Sequence, residues 1–186
     1  MQSKIDLSKY DQSWYSRGRP NWYILFWWFI QGTIFRYSIH NMYGFRRFIL
    51  RLFGAKVGRN VLIRPDAKFY YPWNVEIGDN SWIGDNVYFY SLDKIIVGSN
   101  CVVSQNTYLN TGAHDIADPH FGLITKPIVI KDGAWICANT FINLGVTIGY
   151  NTVIGAMSNV TKDMPDNMVC VGNPCKPLKL REIRDK

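Results

Sequence analysis

The feature that most constrains this chain is an apolar residue that returns every six positions between residues 57 and 165. The fifteen anchor positions are Val57, Ile63, Phe69, Ile77, Ile83, Phe89, Val97, Val103, Leu109, Ile130, Ile136, Ile142, Ile148, Ile154 and Val160. A period of six fits neither a helix, which repeats every 3.6 residues, nor the simple alternation of one strand. It is typical of a short strand followed by a tight turn.

Asparagine and glycine mark the turns of this repeat. Three places after the anchor, ten of the fifteen positions hold one of these residues, which tolerate the positive φ angle of a tight corner. They are Asn60, Asn80, Asn86, Asn100, Asn106, Gly112, Gly133, Asn139, Gly145 and Asn151. Four places after the anchor the residues are mostly small or slender, as a narrow interior requires. We therefore predict a mainly β chain that folds as a parallel β-helix of about five coils.

A change of composition near residue 56 divides the chain. Residues 1–56 hold nine Lys and Arg against two Asp, whereas residues 57–186 hold twelve basic and twelve acidic residues. We predict a basic, aromatic, helical segment at 1–56 and the β-helix at 57–165, with an extruded loop at 115–129. A C-terminal extension at 166–186 is expected to contain a short helix from about Pro177. The N-terminal helices are expected from about Asn21 and over residues 42–53, with Gly54 as the stop.

The N-terminal segment has two interpretations, which do not exclude each other. In the first, its helices cap the open end of the β-helix, whose backbone would otherwise be exposed. In the second, a basic and Trp-rich surface touches an anionic membrane. Its apolar run at 22–30 is too short to span a bilayer. The second helix is amphipathic, with an apolar face opposite a basic one: Phe45, Ile49, Leu52 and Phe53 against Arg46, Arg47 and Arg51.

The N-terminus, the cysteines and the basic residues indicate the cellular location and whether nucleic acid is bound. The polar N-terminus shows no secretion signal, and the four cysteines form neither a CxxC pair nor a disulfide framework. Both observations favour a cytoplasmic location, with peripheral contact at the inner face of the membrane under the second interpretation. Nucleic-acid binding is not expected, because the basic residues lie among bulky apolar ones and no recognition motif is present.

Among the three histidines, His114 is the strongest candidate for catalysis. It ends the third coil, at the corner where the chain leaves the repeat, whereas His40 lies in the N-terminal segment and His120 within the loop. A corner histidine is held by the coil yet reaches solvent, as a general base requires. The simpler interpretation is a polar residue at a surface turn, but the position beside the large loop favours catalysis.

Several stretches resemble one enzyme family. TGAHD at 111–115 and the run from KPIVIKDGAWICANT through VGNPCKPLK at 126–179 resemble the hexapeptide-repeat acyltransferases. FRRFILRLFGAKVG at 45–58 and YSLDKIIVGSNC at 90–101 extend the resemblance to the colanic-acid-type exopolysaccharide acetyltransferases. The resemblance implies a left-handed β-helix, a homotrimer with active sites between neighbouring prisms, acetyl-CoA as donor and a saccharide hydroxyl as acceptor.

The same resemblance assigns roles to individual residues. His114 matches the catalytic histidine, Trp135 the tryptophan that lines the pantetheine channel, and Ala138 the residue whose backbone N–H lies by the thioester carbonyl. Further matches to cofactor-contacting positions are Ala156, Thr161 and Lys162, with Lys176 and Lys179 as candidates for the cofactor phosphates. No metal is expected. One departure is Cys137, which replaces a glycine of the family and puts cofactor contact there in doubt.

Three alternatives remain at this stage. A non-catalytic scaffold or saccharide-binding module is possible on the same fold, although the presence of His114 and Trp135 argues against it. A γ-type carbonic anhydrase needs three histidine ligands, and His40 lies outside the coils. A covalent mechanism through Cys137 has no sign of thiol activation in the sequence. The acceptor sugar cannot be deduced from these residues.

Overall fold

Three parallel β-sheets form the faces of a triangular prism in the computed structural model, which describes residues 4–184. Sheet 1 contains β1 (Lys56–Val57), β4 (Val75–Ile77), β7 (Ile95–Val97), β12 (Ile128–Ile130) and β15 (Thr147–Ile148). Sheet 2 contains β2 (Leu62–Ile63), β5 (Trp82–Ile83), β8 (Val102–Val103), β13 (Trp135–Ile136), β16 (Val153–Ile154), β18 (Met168–Gly172) and β19 (Cys175–Leu180). Sheet 3 contains β3 (Lys68–Phe69), β6 (Tyr88–Tyr90), β9 (Tyr108–Asn110), β14 (Phe141–Ile142) and β17 (Asn159–Val160).

The chain winds through the three sheets in turn, which makes five complete coils. A partial sixth coil follows, in which Met164 bridges to Ile148 and β18 pairs with β16. All fifteen anchors of the six-residue repeat are buried, with Val57 the most exposed at 8%. The predicted β-helix and its inward-facing residues are therefore confirmed.

The turns follow the predicted chemistry with one exception. Nine of the ten Asn and Gly positions have a positive φ angle, from 54° at Asn151 to 77° at Gly145. Gly112 does not, because it belongs to a strand of the excursion rather than to a corner. A Cβ atom there would lie 2.5 Å from Leu92 Cδ1, so any larger residue would require the Leu92 side chain to shift.

The extruded loop is an antiparallel hairpin. Strand β10 (Gly112–His114) pairs with β11 (Leu123–Thr125), and His114 stands opposite Leu123. The chain rejoins sheet 1 at Ile128, so the last two residues of the predicted 115–129 loop already belong to β12. The hairpin therefore holds both ends of the loop in register and fixes the backbone of His114.

Two helices precede the first coil, as predicted. Helix α1 spans Asn21–Ile30 and continues as one π-helical turn, Gln31–Phe35, while α2 spans Tyr43–Leu52 and stops before Gly54, whose φ is 91°. Short 3-10 turns occur at Leu7–Lys9 and Pro72–Asn74. Within residues 4–184, every helix falls short of the length and apolar character that a membrane crossing demands.

The predicted apolar and basic faces of α2 are wrong in one respect. Arg46 is fully buried, whereas Leu52 is 65% exposed. Arg46 donates from Nε to the carbonyl of Ile63 at 2.6 Å and from its Nη atoms to Ser38 Oγ and the carbonyls of Ile39 and His40. The guanidinium is buried because it satisfies several backbone carbonyls at once, which amphipathic periodicity cannot reveal.

The other two arginines of α2 also bind the first coil. Arg47 donates to the carbonyl of Val61 at 2.8 Å, and Arg51 donates to the carbonyls of Val57 and Gly58 at 2.7–2.8 Å. These carbonyls lie at the open end of sheets 1 and 2, where no preceding coil supplies N–H groups. The basic side chains of α2 therefore replace the missing neighbour.

Helix α1 covers the end of sheet 3 in the same way. The indole N–H groups of Trp27 and Trp28 donate to the carbonyls of Phe69 and Tyr70 at 2.8 and 3.1 Å. Gln31 accepts the Phe69 N–H at 2.6 Å. The interpretation of the helices as a cap agrees with these contacts, because exposed sheet edges need their backbone groups satisfied.

The predicted helix from about Pro177 is wrong. Residues Cys175–Leu180 form β19, which pairs antiparallel with β18 across a tight turn at Asn173 and Pro174. The sixth coil ends at β18 and would leave that strand unpaired on one side. The tail fills this edge, and Arg181 anchors it by donating to the carbonyls of Gly133 and Asn151 at 2.9 Å.

The cap predicts a measurable effect on stability. Replacing Arg46 by Met keeps an unbranched apolar stem but leaves buried carbonyls without donors. We expect the free energy of unfolding to fall by about 3 kcal/mol, measured by denaturant titration.

The matched control is Arg59→Met, which removes an exposed ion pair with Asp79. We expect its unfolding midpoint to stay close to that of the unmodified chain. Equal midpoints for the two variants would contradict the proposed role of Arg46 in the cap.

Candidate active site

His114 is oriented by the hairpin that follows it. Its Nδ1 lies 2.7 Å from the carbonyl oxygen of Phe121. A carbonyl can only accept a hydrogen bond, so Nδ1 carries a proton, and in the neutral imidazole Nε2 is then left with its lone pair. Phe121 adopts a φ angle of 51°, which is uncommon for a bulky residue and aims its carbonyl at the imidazole. The loop therefore selects the tautomer that a general base needs.

Asp118 holds the part of the loop that carries Phe121. Its carboxylate accepts the backbone N–H groups of His120 at 2.9 Å and Gly122 at 2.8 Å, and its carbonyl accepts that of Phe121 at 3.0 Å. These N–H groups lower the pKa of Asp118 below its ordinary value of 3.8, and His120 Nδ1 lies 3.5 Å from the carboxylate. Asp118 therefore supports His114 through the loop without touching it.

The N-terminal segment reaches the same loop. The N–H of Asp6 donates to the carbonyl of Pro119 at 2.9 Å, and the ring of Tyr10 meets the imidazole of His114 edge-on at 5.8 Å between centroids. Tyr10 therefore forms one wall beside the histidine. Nothing in the sequence indicated this contact, because the stretch before Asn21 has no periodicity and the two segments are about a hundred residues apart.

A second group of candidate residues lies on sheet 2 and at its corner with sheet 3. Trp135 is 44% exposed on β13, and its indole N–H donates to Ser104 Oγ at 3.0 Å, which fixes the ring on the surface. Ala138 stands at the following corner, and within the described residues its N–H has no hydrogen-bond acceptor. The carbonyl of Ala138 accepts the N–H of Met157, so exposed Ala156 occupies the same corner one coil further on.

Two lysines extend this surface toward the end of the prism. The strand register places Trp135 beside Val153, Val153 beside Val169, and Val169 beside Lys179. Lys179 therefore continues the row that begins at Trp135. Lys176 pairs with Val171, close to the corner that holds Ala156. Both lysines belong to β19, which forms in place of the expected helix. The pairing of β19 with β18 therefore places them on the same surface as Trp135.

The remaining candidates lie on another edge of the prism. Thr161 and Lys162 are exposed after β17, at the corner between sheets 3 and 1. The His114 hairpin leaves the prism at that corner two coils earlier. Sheet 3 thus separates His114, Thr161 and Lys162 from Trp135, Ala138 and Ala156. One prism carries both sets of residues but on opposite edges of one face.

Cys137 sits beside Ala138 at the corner and is half-buried. Burial raises the pKa of its thiol above the ordinary value of 9.0. An activated cysteine shows the opposite shift, because the thiolate is the nucleophile. The side chain therefore provides bulk at the corner rather than a nucleophile.

A groove of about 300 Å³ lies on sheet 2 next to Trp135. It is lined by Ser104, which accepts the indole N–H of Trp135, and by Trp82, which is 55% exposed. Arg64 and Asp85 form an ion pair at 3.0 Å along its side. Over residues 4–184, no three side chains of His, Cys, Asp or Glu converge as a metal site would require.

Known proteins share this architecture and sequence. A family model described as the hexapeptide repeat of succinyl-transferase matches residues 74–111. The chain is 48% identical over 155 residues to the provisionally assigned colanic acid biosynthesis acetyltransferase WcaF of Escherichia coli K12, which covers 83% of this chain and 85% of that protein. A maltose O-acetyltransferase from Clostridium difficile 630 superposes with a TM-score of 0.79 and 31% identity, over 88% of this chain and 90% of that one.

A further solved structure contains the donor. It is a hexapeptide-repeat acetyltransferase of Vibrio cholerae O1 biovar eltor complexed with acetyl coenzyme A, with a TM-score of 0.74 and 27% identity, over 82% of this chain and 86% of that one. The chain belongs to the hexapeptide-repeat acetyltransferases, and its prism is the left-handed parallel β-helix of that family.

The support of His114 by the loop can be tested through Asp118. We expect Asp118→Ala to lower kcat by about tenfold, while the KM for acetyl-CoA stays nearly unchanged, because the carbonyl of Phe121 loses its fixed position. Asp118→Asn keeps one acceptor oxygen and should retain more of the activity. A loss of acetyl-CoA affinity in place of kcat would contradict this role.

The same carboxylate predicts an acid limit. Because the folded pKa of Asp118 lies below 3.8, its contribution to loop stability is present above that value and disappears as the pH falls through the lowered pKa. Hydrogen exchange at Gly122, measured from pH 6 downward, should accelerate only in that acid range beyond its intrinsic pH dependence.

Proposed function

We propose that the protein is an O-acetyltransferase that moves an acetyl group from acetyl-CoA to a hydroxyl of a saccharide or saccharide-containing precursor, in exopolysaccharide or related glycan biosynthesis. The observation that carries this proposal is the geometry of His114, whose Nδ1 is held by the Phe121 carbonyl and whose Nε2 has no hydrogen-bond partner within residues 4–184. The names of the colanic acid and maltose relatives support a saccharide acceptor, and the bound acetyl coenzyme A supports the donor.

In the proposed mechanism His114 acts as general base. A sugar hydroxyl is a weak nucleophile, so Nε2 takes its proton as the oxygen attacks the thioester carbonyl. The tetrahedral intermediate then collapses, the C–S bond breaks, and the imidazolium returns the proton to the departing thiolate. The acetyl group forms an ester with the sugar oxygen, and the histidine ends in its starting state. The raised pKa of Cys137 agrees with direct transfer, without an acetylated enzyme.

The free N–H of Ala138 suits the developing oxyanion. It sits on a coil whose neighbours on both sides hold it in place, so it needs no reorganisation when charge appears on the oxygen. Trp135 then lines the path of the pantetheine arm, with Ala156 along the same corner. Lys176 and Lys179 at the end of this surface, together with Thr161 and Lys162 of another prism, are proposed to bind the rest of the cofactor.

We propose that the active form is a homotrimer. His114 and Trp135 lie on opposite edges of sheet 3, so a single prism does not bring the base to the thioester. A neighbouring prism related by a rotation would place its sheet 2 surface against the His114 hairpin, and three such clefts close a ring. The Trp82 groove on sheet 2 would then open into the cleft and offer an aromatic ring and the Arg64–Asp85 pair to the acceptor.

The proposed location is the cytoplasm, where acetyl-CoA is available. The N-terminal segment would keep the enzyme peripheral at the inner face of the membrane. The competing function is a non-catalytic scaffold or saccharide-binding module, which would bind sugar without consuming acetyl-CoA. Acetyl-CoA turnover with a panel of acceptor sugars, read by mass spectrometry, separates the two and identifies the acceptor.

Replacing the general base tests the mechanism. We expect His114→Ala to lower kcat by about 10²–10⁴-fold, the usual contribution of a general base, with acetyl-CoA binding little changed. His120→Ala serves as the matched control on the same loop and should keep most of the activity. Near-normal turnover in the His114 variant would show that the base lies elsewhere.

The trimer has its own test. Light scattering at micromolar concentration should give three times the mass of the 21.5 kDa chain. Mixing His114→Ala chains with Trp135→Ala chains should restore part of the activity, because some clefts then receive both intact residues. A fully active monomer would refute the shared site.

A further inference from the structure

The side of the N-terminal helices that points away from the prism is apolar and uncovered. On α1, four large side chains lie opposite the buried Ile24 and Trp27, and each is about half exposed or more: Trp22, Leu25, Phe26 and Phe29. Their spacing of three and four residues places them on one stripe. A helix that is apolar on all sides belongs in a core or at a membrane, and only one side of α1 is in the core.

Helix α2 presents a second apolar stripe at the same end. Phe48 and Leu52, four residues apart, are 61% and 65% exposed. Both helices use their inner sides to bind the carbonyls of the first coil, so their outer sides face away from the prism together. Trp22, Leu25, Phe26, Phe29, Phe48 and Leu52 are called the cap face below. An exposed apolar surface of this kind marks an interaction site.

The charge around the cap face is positive. Residues 12–56 contain seven Lys and Arg and no acidic residue. Within the described part of the chain, only Arg36 and Lys56 of these seven form ion pairs, with Asp66 and Glu76 of the coils. The arginines that cap the first coil bind neutral carbonyls, which leaves their charge uncompensated.

Two features extend this charge to the rim of the cap face. Arg47, Arg51 and Arg59 line a cavity of about 500 Å³ beside α2, with Asp79 as its one acidic residue. Arg17 and Arg19 precede α1, where Arg17 donates to Asn21 and Arg19 lies over the Tyr23 ring. An apolar stripe bordered by arginines is the pattern of a helix that lies in the interface of an anionic membrane.

We propose that the cap face docks on an anionic lipid bilayer, which rests on the peripheral location proposed above and names its contact surface. Trp22, Leu25 and Phe29 enter the boundary between headgroups and acyl chains, and the arginines at the rim contact lipid phosphates. A second copy of the chain is the less favoured occupant, because an end-to-end contact would bring two uncompensated positive segments together.

The apolar run at 22–30 contains three tryptophans, which differ in their contacts. The indole N–H groups of Trp27 and Trp28 are used inside the cap, whereas Trp22 is exposed on the cap face. Arg46 is buried and cannot reach a phosphate. The cap and the membrane surface are therefore the inner and outer sides of the same two helices.

The docked orientation leaves the catalytic cleft accessible. His114 follows the third coil, two coil spacings of ~4.8 Å from the first, and a helix adds a further ~10 Å. The histidine thus stands about 20 Å from the lipid, in reach of acetyl-CoA from solution. In the proposed trimer the rotation axis places all three cap faces at one end, so they engage one bilayer together and gain avidity.

The test is flotation with vesicles of phosphatidylglycerol and phosphatidylcholine in roughly equal amounts, compared with phosphatidylcholine alone. The unmodified protein should float with the anionic vesicles and be released by high salt. Leu25→Ser with Phe29→Ser should abolish flotation. Arg17→Gln with Arg19→Gln should weaken binding, by about fivefold for each charge.

The matched control is Leu178→Ser with Leu180→Ser. These two leucines are 64% and 69% exposed on β19, at the opposite end of the prism. This variant should float like the unmodified protein. The Leu25 and Phe29 variant should keep its unfolding midpoint and its acetyl transfer to a free acceptor sugar, since its residues lie outside the cleft.

Two results would overturn the proposal. One is flotation that survives in the Leu25 and Phe29 variant. The other is that the unmodified protein does not float with anionic vesicles. If its mass in solution is then twice that of the Leu25 and Phe29 variant, the cap face binds a second copy of the assembly. Flotation needs neither donor nor acceptor. Membrane binding can therefore fail while acetyl transfer is intact, and acetyl transfer can fail while membrane binding is intact.

Discussion

The hydrogen bonds between successive coils are the interaction on which the rest of this protein depends. Each strand pairs with the strand one coil away. In the first three coils the pairing joins residues twenty positions apart, such as Val57 and Ile77, and further along it joins Ile130 to Ile148. Inside the prism the anchors stack in the same register, as Phe69 does on Phe89 at 4.6 Å between centroids. A coil contacts only its neighbours, so the repeat leaves unsatisfied backbone at both ends.

The two ends are closed by different chemistry. At the first coil, side chains carry the donors: the guanidinium of Arg46 and the indole of Trp27 replace the N–H groups of an absent coil. At the last coil, backbone does so, when β19 folds back on β18. The first solution requires helices, and helices have an outer side. The apolar cap face is thus a structural consequence of how the prism begins, available for a further use.

The candidate active site depends on the contrast between a rigid prism and one loop. The coils hold Trp135 and Ala138 on a fixed surface, whereas His114 is oriented by a hairpin whose geometry rests on Asp118 and Phe121. Because the two groups lie on opposite edges of sheet 3, each cleft of the proposed trimer would be formed by two neighbouring prisms. Catalysis would then require assembly, which ties the enzyme's activity to its oligomeric state.

The sequence by itself determined the prism. A period of six with Asn or Gly at the corners is typical of a β-helix, and each apolar anchor lies only three positions from its turn residue, so a short stretch of sequence shows the pattern. It also indicated His114, which stands where the period breaks. Only the tertiary structure decided the rest. Arg46 is buried because it satisfies backbone carbonyls of other elements, and Cys175–Leu180 forms a strand because it pairs with the edge of β18. Tyr10 contacts His114 although the two residues are distant in the chain. Such contacts produce no periodic pattern in the sequence. A polar side chain that binds a distant carbonyl looks like any exposed polar residue, because only the folded structure shows which carbonyl lies beside it.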